Sequence, residues 1–216
     1  MKFFKCAILS AGILTAMGQS AIAGTFGGVE FSQGEISFAD NLVEYNRGSG
    51  VGSEYRLAEQ ALGIPDYARR CRGCDYVSLG NGGSLVLEFT DNYLTGSDDN
   101  GFDLWVFEIG TAVEATFVEI SKDGNNWFDV GKVEGATSGV DLDAFGFGTG
   151  DLFSFVRLTD DPIGAGRSYP SAGADIDAVG AISTIAKSQN VPEPSGLLGL
   201  IGLGLVGLFG RKRDKK

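Results

Sequence analysis

Short apolar runs separated by glycine-rich turns are the feature that most restricts the fold of this chain. Runs rich in aromatic and β-branched residues, with partial alternation of apolar and polar positions, occupy residues 84–89, 102–109, 116–120 and 153–158. Clusters of Gly, Asn and Asp lie between or beside them, at residues 81–83, 98–101, 123–126 and 146–148. Short strands punctuated in this way predict an all-β fold, specifically an antiparallel β-sandwich.

Only one segment has the pattern of a helix. Residues 53–62 offer Ser53 as an N-cap, an apolar face that includes Leu57 and Ala61, and a stop at Gly63. A parallel α/β fold needs several crossover helices, so their absence favours a sandwich with one short helix.

The first 23 residues predict a secretory signal peptide. Lys2 and Lys5 precede an apolar run, and Ala21 and Ala23 form a small-residue cleavage site before Gly24. A retained membrane helix is the alternative, but the run is short for one. We therefore expect the Sec machinery to export the chain and the mature protein to begin at Gly24.

The last 30 residues, 187–216, have three parts after a short linker. Pro192, Glu193 and Pro194 precede an apolar segment at 196–210 and a basic tail at 211–216. As a helix the apolar segment is about 22 Å long, which is short of a bilayer core of about 30 Å. Because the basic tail stays cytoplasmic, everything before Pro192 is expected outside the inner membrane.

This C-terminal arrangement resembles the PEP-CTERM sorting signal of Gram-negative bacteria. The resemblance implies that Pro192, Glu193 and Pro194 are recognised by a membrane peptidase, an exosortase. The protein would then be released or transferred to the cell surface or extracellular matrix after a transient stay in the inner membrane. A plain single-pass anchor with a proline-kinked stalk is the alternative.

The composition excludes several function classes. The chain has no histidine, which removes Ser-His-Asp and Cys-His catalysis and His-ligated zinc. Its net charge of -11 hides an acidic middle, because residues 24–190 carry about -16 once the basic ends are set aside. This sign argues against a nucleic-acid partner. The length of residues 24–186 suits one β-sandwich domain.

Residues 118–130 resemble the strand-turn-strand signature of discoidin-like, galactose-binding-like jelly rolls. Asp123 and Gly124 supply the turn, and Trp127 is expected to return to the core. A wider pattern, including residues 61–66, 77–84, 103–108 and 175–179, resembles a group of bacterial cell-surface proteins. That group is described by location, so the resemblance implies fold and localisation rather than an activity.

Acidic residues in glycine-rich turns suggest a calcium site. Calcium takes six to eight oxygen ligands, and an EF-hand register fails around Gly101, so separate loops would supply them. We expect Asp103, Asp175 and Asp177 as ligands, with Asp175 and Asp177 on one face of a strand. The alternative is a solvated acidic surface with Asx turns, and further acids stand at Asp141 and Asp143.

One loop combines cysteines with arginines. Cys71 and Cys74 are expected to form a disulfide in an exported protein, with a thiol oxidoreductase as the less favoured alternative. Arg69, Arg70 and Arg72 form a basic island that could bind an acidic exopolysaccharide. Alternatively, these arginines neutralise nearby acids.

Two functions remain. The favoured one is a non-enzymatic surface or matrix protein that is sorted by its C-terminal signal and binds calcium or exopolysaccharide. The rival is a carbohydrate-active hydrolase with paired carboxylates, which needs no histidine. Its candidate acids are Glu88, Glu108 and Glu119 on predicted strands.

Overall fold

The computed structural model describes residues 22–68, 75–109, 114–163 and 168–187. These residues contain thirteen strands, all paired antiparallel. The strands are β1 Gly24–Phe26, β2 Val29–Phe31, β3 Asn41–Asn46, β4 Val77–Ser78, β5 Ser84–Glu88, β6 Asn92–Leu94, β7 Leu104–Glu108, β8 Ala115–Ser121, β9 Trp127–Glu134, β10 Thr137–Val140, β11 Phe155–Asp160, β12 Asp175–Ala181 and β13 Thr184–Ala186.

Two larger sheets form the body of the domain. One has five strands in the order β3-β5-β11-β8-β9, and the other has four in the order β10-β7-β12-β4. Two small ribbons, β1-β2 and β6-β13, complete the described part. The predicted antiparallel β-sandwich is therefore confirmed.

The main core lies between the two large sheets. Alternation along β11 places Val156 and Leu158 inward, both fully buried. Val156 is paired with Leu87 on β5 and with Ile120 on β8, so one row of apolar side chains crosses the sheet. From the four-stranded sheet, the inward side chains of this core include Leu104, Val106, Ile176 and Val179.

The outer face of the four-stranded sheet is covered as well. Phe31 and Phe38 pack on Phe107 of β7 with ring centroids 6.1 and 6.0 Å away, and Phe26 adds an edge contact to Phe38 at 5.2 Å. Strand β12 is consequently buried at all its positions. The segment that directly follows the predicted signal peptide thus forms part of the folded body.

The predicted helix over residues 53–62 differs in the structure. The segment forms two 3-10 turns, Ser53–Tyr55 and Ala58–Ala61, and neither N-cap side chain makes a capping hydrogen bond. Leu57 lies between them in an extended conformation and is 52% exposed. The helix fails because Leu57 does not face the core, whereas Ala58 and Ala61 do.

The predicted hairpin at Asp123 and Gly124 is confirmed, since it joins β8 to β9. Asp123 accepts hydrogen bonds from the backbone N–H groups of Asn125 and Asn126 at 2.9 and 2.8 Å, and Gly124 has φ of 74°. The expectation for Trp127 is wrong. Trp127 is only half-buried, and its ring lies against the Arg157 guanidinium, whose Cζ is 4.3 Å from the ring centroid.

Three glycines allow three segments to meet at backbone distance. Gly80 has φ of 81°, and a Cβ there would stand 2.6 Å from the carbonyl carbon of Gly48. A Cβ on Gly173 would stand 2.6 Å from the carbonyl oxygen of Gly80. Side chains are excluded from this crossing, which explains glycine at these positions.

In the described ranges, no helix has the length and apolar character needed to cross a membrane. The predicted signal peptide and the apolar segment at 196–210 lie outside the described residues.

Candidate functional site

Three carboxylates meet where β10 ends and β7 begins, and we call them the Asp103 cluster: Asp103, Asp141 and Asp143. Val140 on β10 is paired with Leu104 on β7, and the Asp103 N–H donates to the Val140 carbonyl oxygen at 2.8 Å. Asp103, directly before β7, therefore lies beside Asp141, directly after β10. One carboxylate oxygen from each acid lies within 4.8 Å of the others.

Asp103 is the buried member of this cluster. It has no exposed surface, its Oδ2 accepts the Leu142 N–H at 2.8 Å, and its Oδ1 has no hydrogen-bond partner among the described residues. Burial raises the pKa of Asp103 above its ordinary value, and interactions with the Ser183 side chain and the Leu142 N–H offset part of this effect. A buried oxygen without a partner is a position that a bound cation would satisfy.

The other two acids are half-buried and organise the surrounding loops. Asp143 accepts the N–H groups of Ser97 at 2.9 Å and Asp98 at 3.1 Å, which ties residues 97–98 to the 3-10 turn Asp143–Phe145. Asp141 accepts the Ala144 N–H at 3.2 Å. None of the ion pairs in the described ranges involves the Asp103 cluster.

Asp175 and Asp177 stand elsewhere, on β12. The β12–β7 register shifts between Ile176 and Ala178, so a bulge breaks the alternation that predicted a common face for the two acids. Asp175 Oδ1 accepts a hydrogen bond from the Ser78 hydroxyl, whereas Asp177 accepts the N–H groups of Asp66 and Tyr67 at 3.3 and 3.4 Å. Neither acid joins the Asp103 cluster.

Burial also shifts the pKa of both β12 acids. It raises the pKa of Asp175 to about 7, with the charge of Glu108 adding to the rise. It raises the pKa of Asp177 to about 6, opposed by the N–H groups of Asp66 and Tyr67.

Residues 69–74, with Arg69, Arg70, Arg72, Cys71 and Cys74, lie outside the described residues, but both flanks are defined. The Ala68 N–H donates to Asp75 Oδ2 at 3.2 Å, which joins the two ends of the loop. Tyr67 and Tyr76 meet edge to face with ring centroids 5.7 Å apart, and Tyr55 packs on Tyr76 at 5.5 Å. The loop therefore begins and ends at one cluster of tyrosines.

An open pocket of about 280 Å³ lies beside this tyrosine cluster. Pro65, Tyr67 and Phe107 line it together with two acidic residues, Glu108 and Asp177. The pocket thus combines aromatic and acidic residues, and one of them, Tyr67, stands two residues before Arg69 in the chain.

The three glutamates of the hydrolase hypothesis are dispersed. Glu119 is held by Arg157, with Nε donating to Oε2 at 2.6 Å, and Glu88 accepts the Asn41 amide at 2.9 Å. Both lie on the five-stranded sheet, two strands apart and offset by two residues, which corresponds to about 12 Å between Cα atoms. Glu108 lies on the other sheet and is 5% exposed.

Sequence reasoning missed two groupings. Asp141 and Asp143 were recognisable as turn acids, but their proximity to Asp103 depends on β10 lying beside β7, which no local pattern encodes. Glu114, which is 4% exposed next to Glu108, was not singled out. An acid directly before an apolar strand was the available signal.

Among solved structures, the body is similar in fold to two domains. One is CpGH89CBM32-6, produced by Clostridium perfringens, at TM-score 0.38 and 12% identity, covering 68% of this chain and 97% of that one. The other is the C-terminal domain of a chitobiase from Bacteroides fragilis, at TM-score 0.40 and 12% identity, covering 71% and 97%. No curated protein matches the chain.

Residues 190–213 match the family model of the PEP-CTERM protein-sorting motif. The predicted sorting signal is therefore confirmed, and its Pro192, Glu193 and Pro194 lie outside the described residues. The motif suggests export and surface association, and it implies processing by exosortase, a membrane protein.

Proposed function

We propose that this protein is a non-enzymatic cell-surface or extracellular-matrix protein that binds acidic exopolysaccharide and holds a structural calcium ion. The observation that carries the surface assignment is the sorting motif at residues 190–213. Binding is assigned to loops at the edges of the β-sandwich, where charged side chains gather.

The placement of the carboxylates favours a non-enzymatic role. Two-carboxylate glycoside hydrolysis needs acids about 5 to 10 Å apart that flank the scissile bond. Glu119 is neutralised by Arg157, and Glu88 is held by the Asn41 amide. Glu108 contacts Glu114, but both acids are too buried to reach a polysaccharide.

The binding surface for polysaccharide is assigned to Arg69, Arg70 and Arg72. Guanidinium groups form paired hydrogen bonds with carboxylates, which acidic sugars carry. Tyr67, two residues before Arg69 in the chain, is partly exposed and supported edge to face by the buried Tyr76, so its ring is the aromatic surface on which a sugar ring would pack. Elsewhere the body is acidic, which would restrict an anionic polymer to this loop.

A pull-down with hyaluronate beads in EDTA tests this assignment, with neutral dextran beads as the reference. Replacing Arg69, Arg70 and Arg72 by Ser is expected to abolish retention on hyaluronate. The matched control replaces Arg47, Lys122 and Lys132, three exposed cations elsewhere, and removes the same charge. Equal losses in both variants would indicate net charge alone, and full retention by the arginine variant would refute the site.

A disulfide between Cys71 and Cys74 is part of this proposal. It would close the loop whose ends are already joined by the hydrogen bond from Ala68 to Asp75, and it would limit the motion of Arg72 between the two cysteines. Alkylation of the exported protein without reductant is expected to label neither thiol. Labelling of both thiols would show that the two cysteines are not joined by a disulfide.

Calcium is assigned to the Asp103 cluster. Its carboxylates are hard oxygen ligands, and Asp103 Oδ1 is buried without a hydrogen-bond partner among the described residues. Bound calcium would offset two of the three negative charges and tie the loops at residues 97–98 and 141–145 to the start of β7. The role of the ion would be to stabilise the folded loops.

Surface delivery is tested by replacing Pro192, Glu193 and Pro194 with Ala in a host that has an exosortase. The wild-type protein is expected to react with a membrane-impermeant biotin reagent on intact cells, and the variant is expected to remain in the inner-membrane fraction. An arginine-tail variant with Lys215 and Lys216 exchanged for Arg serves as the control. Equal surface labelling of the alanine variant would contradict exosortase-dependent sorting.

A further inference from the structure

Lys187, which directly follows β13, is bound to the folded body through both its backbone and its side chain. Its N–H donates to the Asp91 carbonyl oxygen at 2.6 Å, and its Nζ donates to the Phe89 carbonyl oxygen. The same Nζ lies 4.5 Å from the centroid of the Tyr93 ring. Burial lowers the pKa of Lys187, because the charged amine loses part of its hydration against the body. The chain is therefore attached to the body as far as this residue.

Strand β13 holds the residues before Lys187 in place. It pairs with β6 along its whole length, with Ile185 opposite Tyr93. The Thr184 hydroxyl donates to the Tyr93 carbonyl oxygen at 2.9 Å and accepts the Asn92 side-chain amide at 2.6 Å. Asn92 has no exposed surface, so this attachment reaches into the interior of the body. Detaching β13 would break all these hydrogen bonds and leave the buried Asn92 amide without this partner.

Only a short stretch of chain separates this attachment from the sorting motif. Four residues, 188–191, lie between Lys187 and Pro192. Even a fully extended chain therefore keeps Pro192 within about 18 Å of Lys187. A folded domain of about 100 residues has a radius of gyration of about 13 Å. A peptidase at least that large, whose binding site encloses Pro192, Glu193 and Pro194, therefore meets the body near Lys187.

The surface around Lys187 is acidic, and we call it the exit surface: Asp40, Glu88, Asp91 and Lys187. The charges of the three acids partly offset the effect of burial on the pKa of Lys187, so all three act on this one cation. Asp40 is exposed, whereas Glu88 and Asp91 are half-buried. None of the ion pairs found in the described ranges involves the exit surface. Three negative charges against one positive charge leave this surface with a negative excess.

An open pocket of about 640 Å³ adjoins the exit surface. Asp40 and Asp91 line it, together with a further acid, Glu35, and the apolar residues Ile36 and Phe38. Asp91 Oδ1 is buried and has no hydrogen-bond partner among the described residues. The exit surface thus offers a recess with acidic and apolar residues beside the point where the chain leaves the body. Basic and apolar side chains of a partner would complement it.

We propose that the exit surface docks onto a positively charged surface of the membrane peptidase that processes the sorting motif. The inference rests on the proposed sorting of this protein, and it adds a contact made by the folded body to the recognition of residues 192–194. Docking would raise the effective concentration of the motif at the peptidase, because the attachment at Lys187 limits how far the motif lies from the contact. The acidic charge favours this partner over anionic lipid head groups.

Paired charge variants of the full chain test the docking in a host that has an exosortase. The variant Asp40→Asn/Glu88→Gln nearly preserves side-chain size and is expected to slow removal of the C-terminal segment several-fold, followed by mass spectrometry after a pulse of isotope label. The control Asp129→Asn/Glu134→Gln removes the same charge at exposed positions on β9, three strands away from β5, and is expected to match the wild type. Wild-type processing of the exit-surface variant, or equal slowing in both variants, would overturn the inference.

A disulfide between β6 and β13 distinguishes docking of the intact body from detachment of its last strand. Tyr93 and Ile185 are direct partners, so cysteines at these positions are close enough to be joined. Tyr93→Cys/Ile185→Cys, in a chain with Cys71 and Cys74 replaced by Ser, is expected to be processed as fast as the matched chain with Tyr93→Ser/Ile185→Ser. Blocked processing of the disulfide-bonded chain would show that β13 must detach and would contradict the docking.

Replacing Pro192, Glu193 and Pro194 by Ala in the same assay separates this inference from the proposed function. Loss of processing in the alanine variant, together with wild-type processing of Asp40→Asn/Glu88→Gln, would leave exosortase-dependent sorting intact and refute only the docking. Wild-type processing of the alanine variant would refute both. Loss of processing in the alanine variant together with slow processing of the exit-surface variant alone is the result expected.

Discussion

Buried acids are the residues in which this protein departs most from ordinary packing. Asp103, Glu108, Glu114, Asp175 and Asp177 are each at most 7% exposed. Burial is the largest cause of the raised pKa of each of them. A buried acid lowers stability unless a proton, hydrogen bonds or a cation compensates its charge. In an exported protein, extracellular calcium is a natural source of that compensation.

Replacing Asp103 by Asn tests the calcium site at the scale of one residue. At calcium about 100 times Kd, the wild-type protein should gain about 2.7 kcal/mol, or about 5 to 10 °C in melting temperature. The variant should lose this gain and melt in EDTA no lower than the wild type, because its amide oxygen still accepts the Leu142 N–H. Scanning calorimetry of both proteins with EDTA and with calcium measures this. An equal calcium shift in both proteins would refute the Asp103 assignment.

The exposed Asp123 differs from the buried acids in that its pKa is lowered. Hydrogen bonds from the N–H groups of Asn126 and Asn125 hold this pKa well below its usual range. A lowered folded-state pKa contributes stability that is present above the unfolded pKa of about 4 and is lost as the pH falls below it. Asp123→Asn should therefore lower the melting temperature at pH 7, with the difference shrinking under acid conditions. Glu30→Gln, at an exposed position, is the control. A difference that is independent of pH would contradict the role of this carboxylate.

At the scale of elements, local patterns predicted where the strands lie in the sequence better than which strands lie side by side in a sheet. The runs at residues 84–89, 116–120 and 153–158 correspond to β5, β8 and β11 with end points that differ by one to two residues, because alternating apolar residues need a sheet face to bury them. The Asp123 turn was predictable because its hydrogen bonds are local. The adjacency of β10 and β7 was not predictable from local patterns, because it follows from long-range strand pairing. The Asp103 cluster depends on that adjacency and was therefore missed as well.

Two further differences have local causes. The segment 53–62 forms 3-10 turns because Leu57 does not face the core, and periodicity alone could not show which residues the sheets would cover. The bulge in β12 separates the partners of Asp175 and Asp177, and a bulge adds a residue without an evident signal in the sequence.

The glycine crossing between the loops can be tested with a matched pair of substitutions. Gly80 and Gly82 both have positive φ, at 81° and 70°, but only Gly80 has backbone atoms within reach of a Cβ. Gly82→Ala should cost about 1 to 2 kcal/mol in the free energy of unfolding from backbone strain. Gly80→Ala should cost about 1 to 3 kcal/mol more from overpacking. Urea unfolding measures both, and equal losses would show that the close approach to Gly48 is unimportant.

At the scale of the whole molecule, the described residues form a folded body, and we propose that the segments on either side of it address the chain. The four-stranded sheet is covered on one side by the five-stranded sheet and on the other by the hairpin that begins at Gly24. Gly24 is paired with Phe31, so the first strand of the described part begins at the residue that follows the predicted cleavage site. The other end carries the PEP-CTERM motif at residues 190–213.

This division explains the charge of the protein. The net charge of -11 combines an acidic body with basic residues at both ends. After both ends are removed, the mature protein would be a strongly acidic sandwich with one basic loop. Its solubility and its selection of an acidic polymer would then depend on the same distribution of charge.

The decisive measurement for export followed by PEP-CTERM processing is the intact mass of the protein recovered from the cell surface or medium of an exosortase-bearing host. We predict a chain that begins at Gly24 and lacks both the apolar segment 196–210 and the basic tail 211–216. A surface protein that retains residues 196–216, or a chain that keeps residues 1–23, would contradict export followed by PEP-CTERM processing.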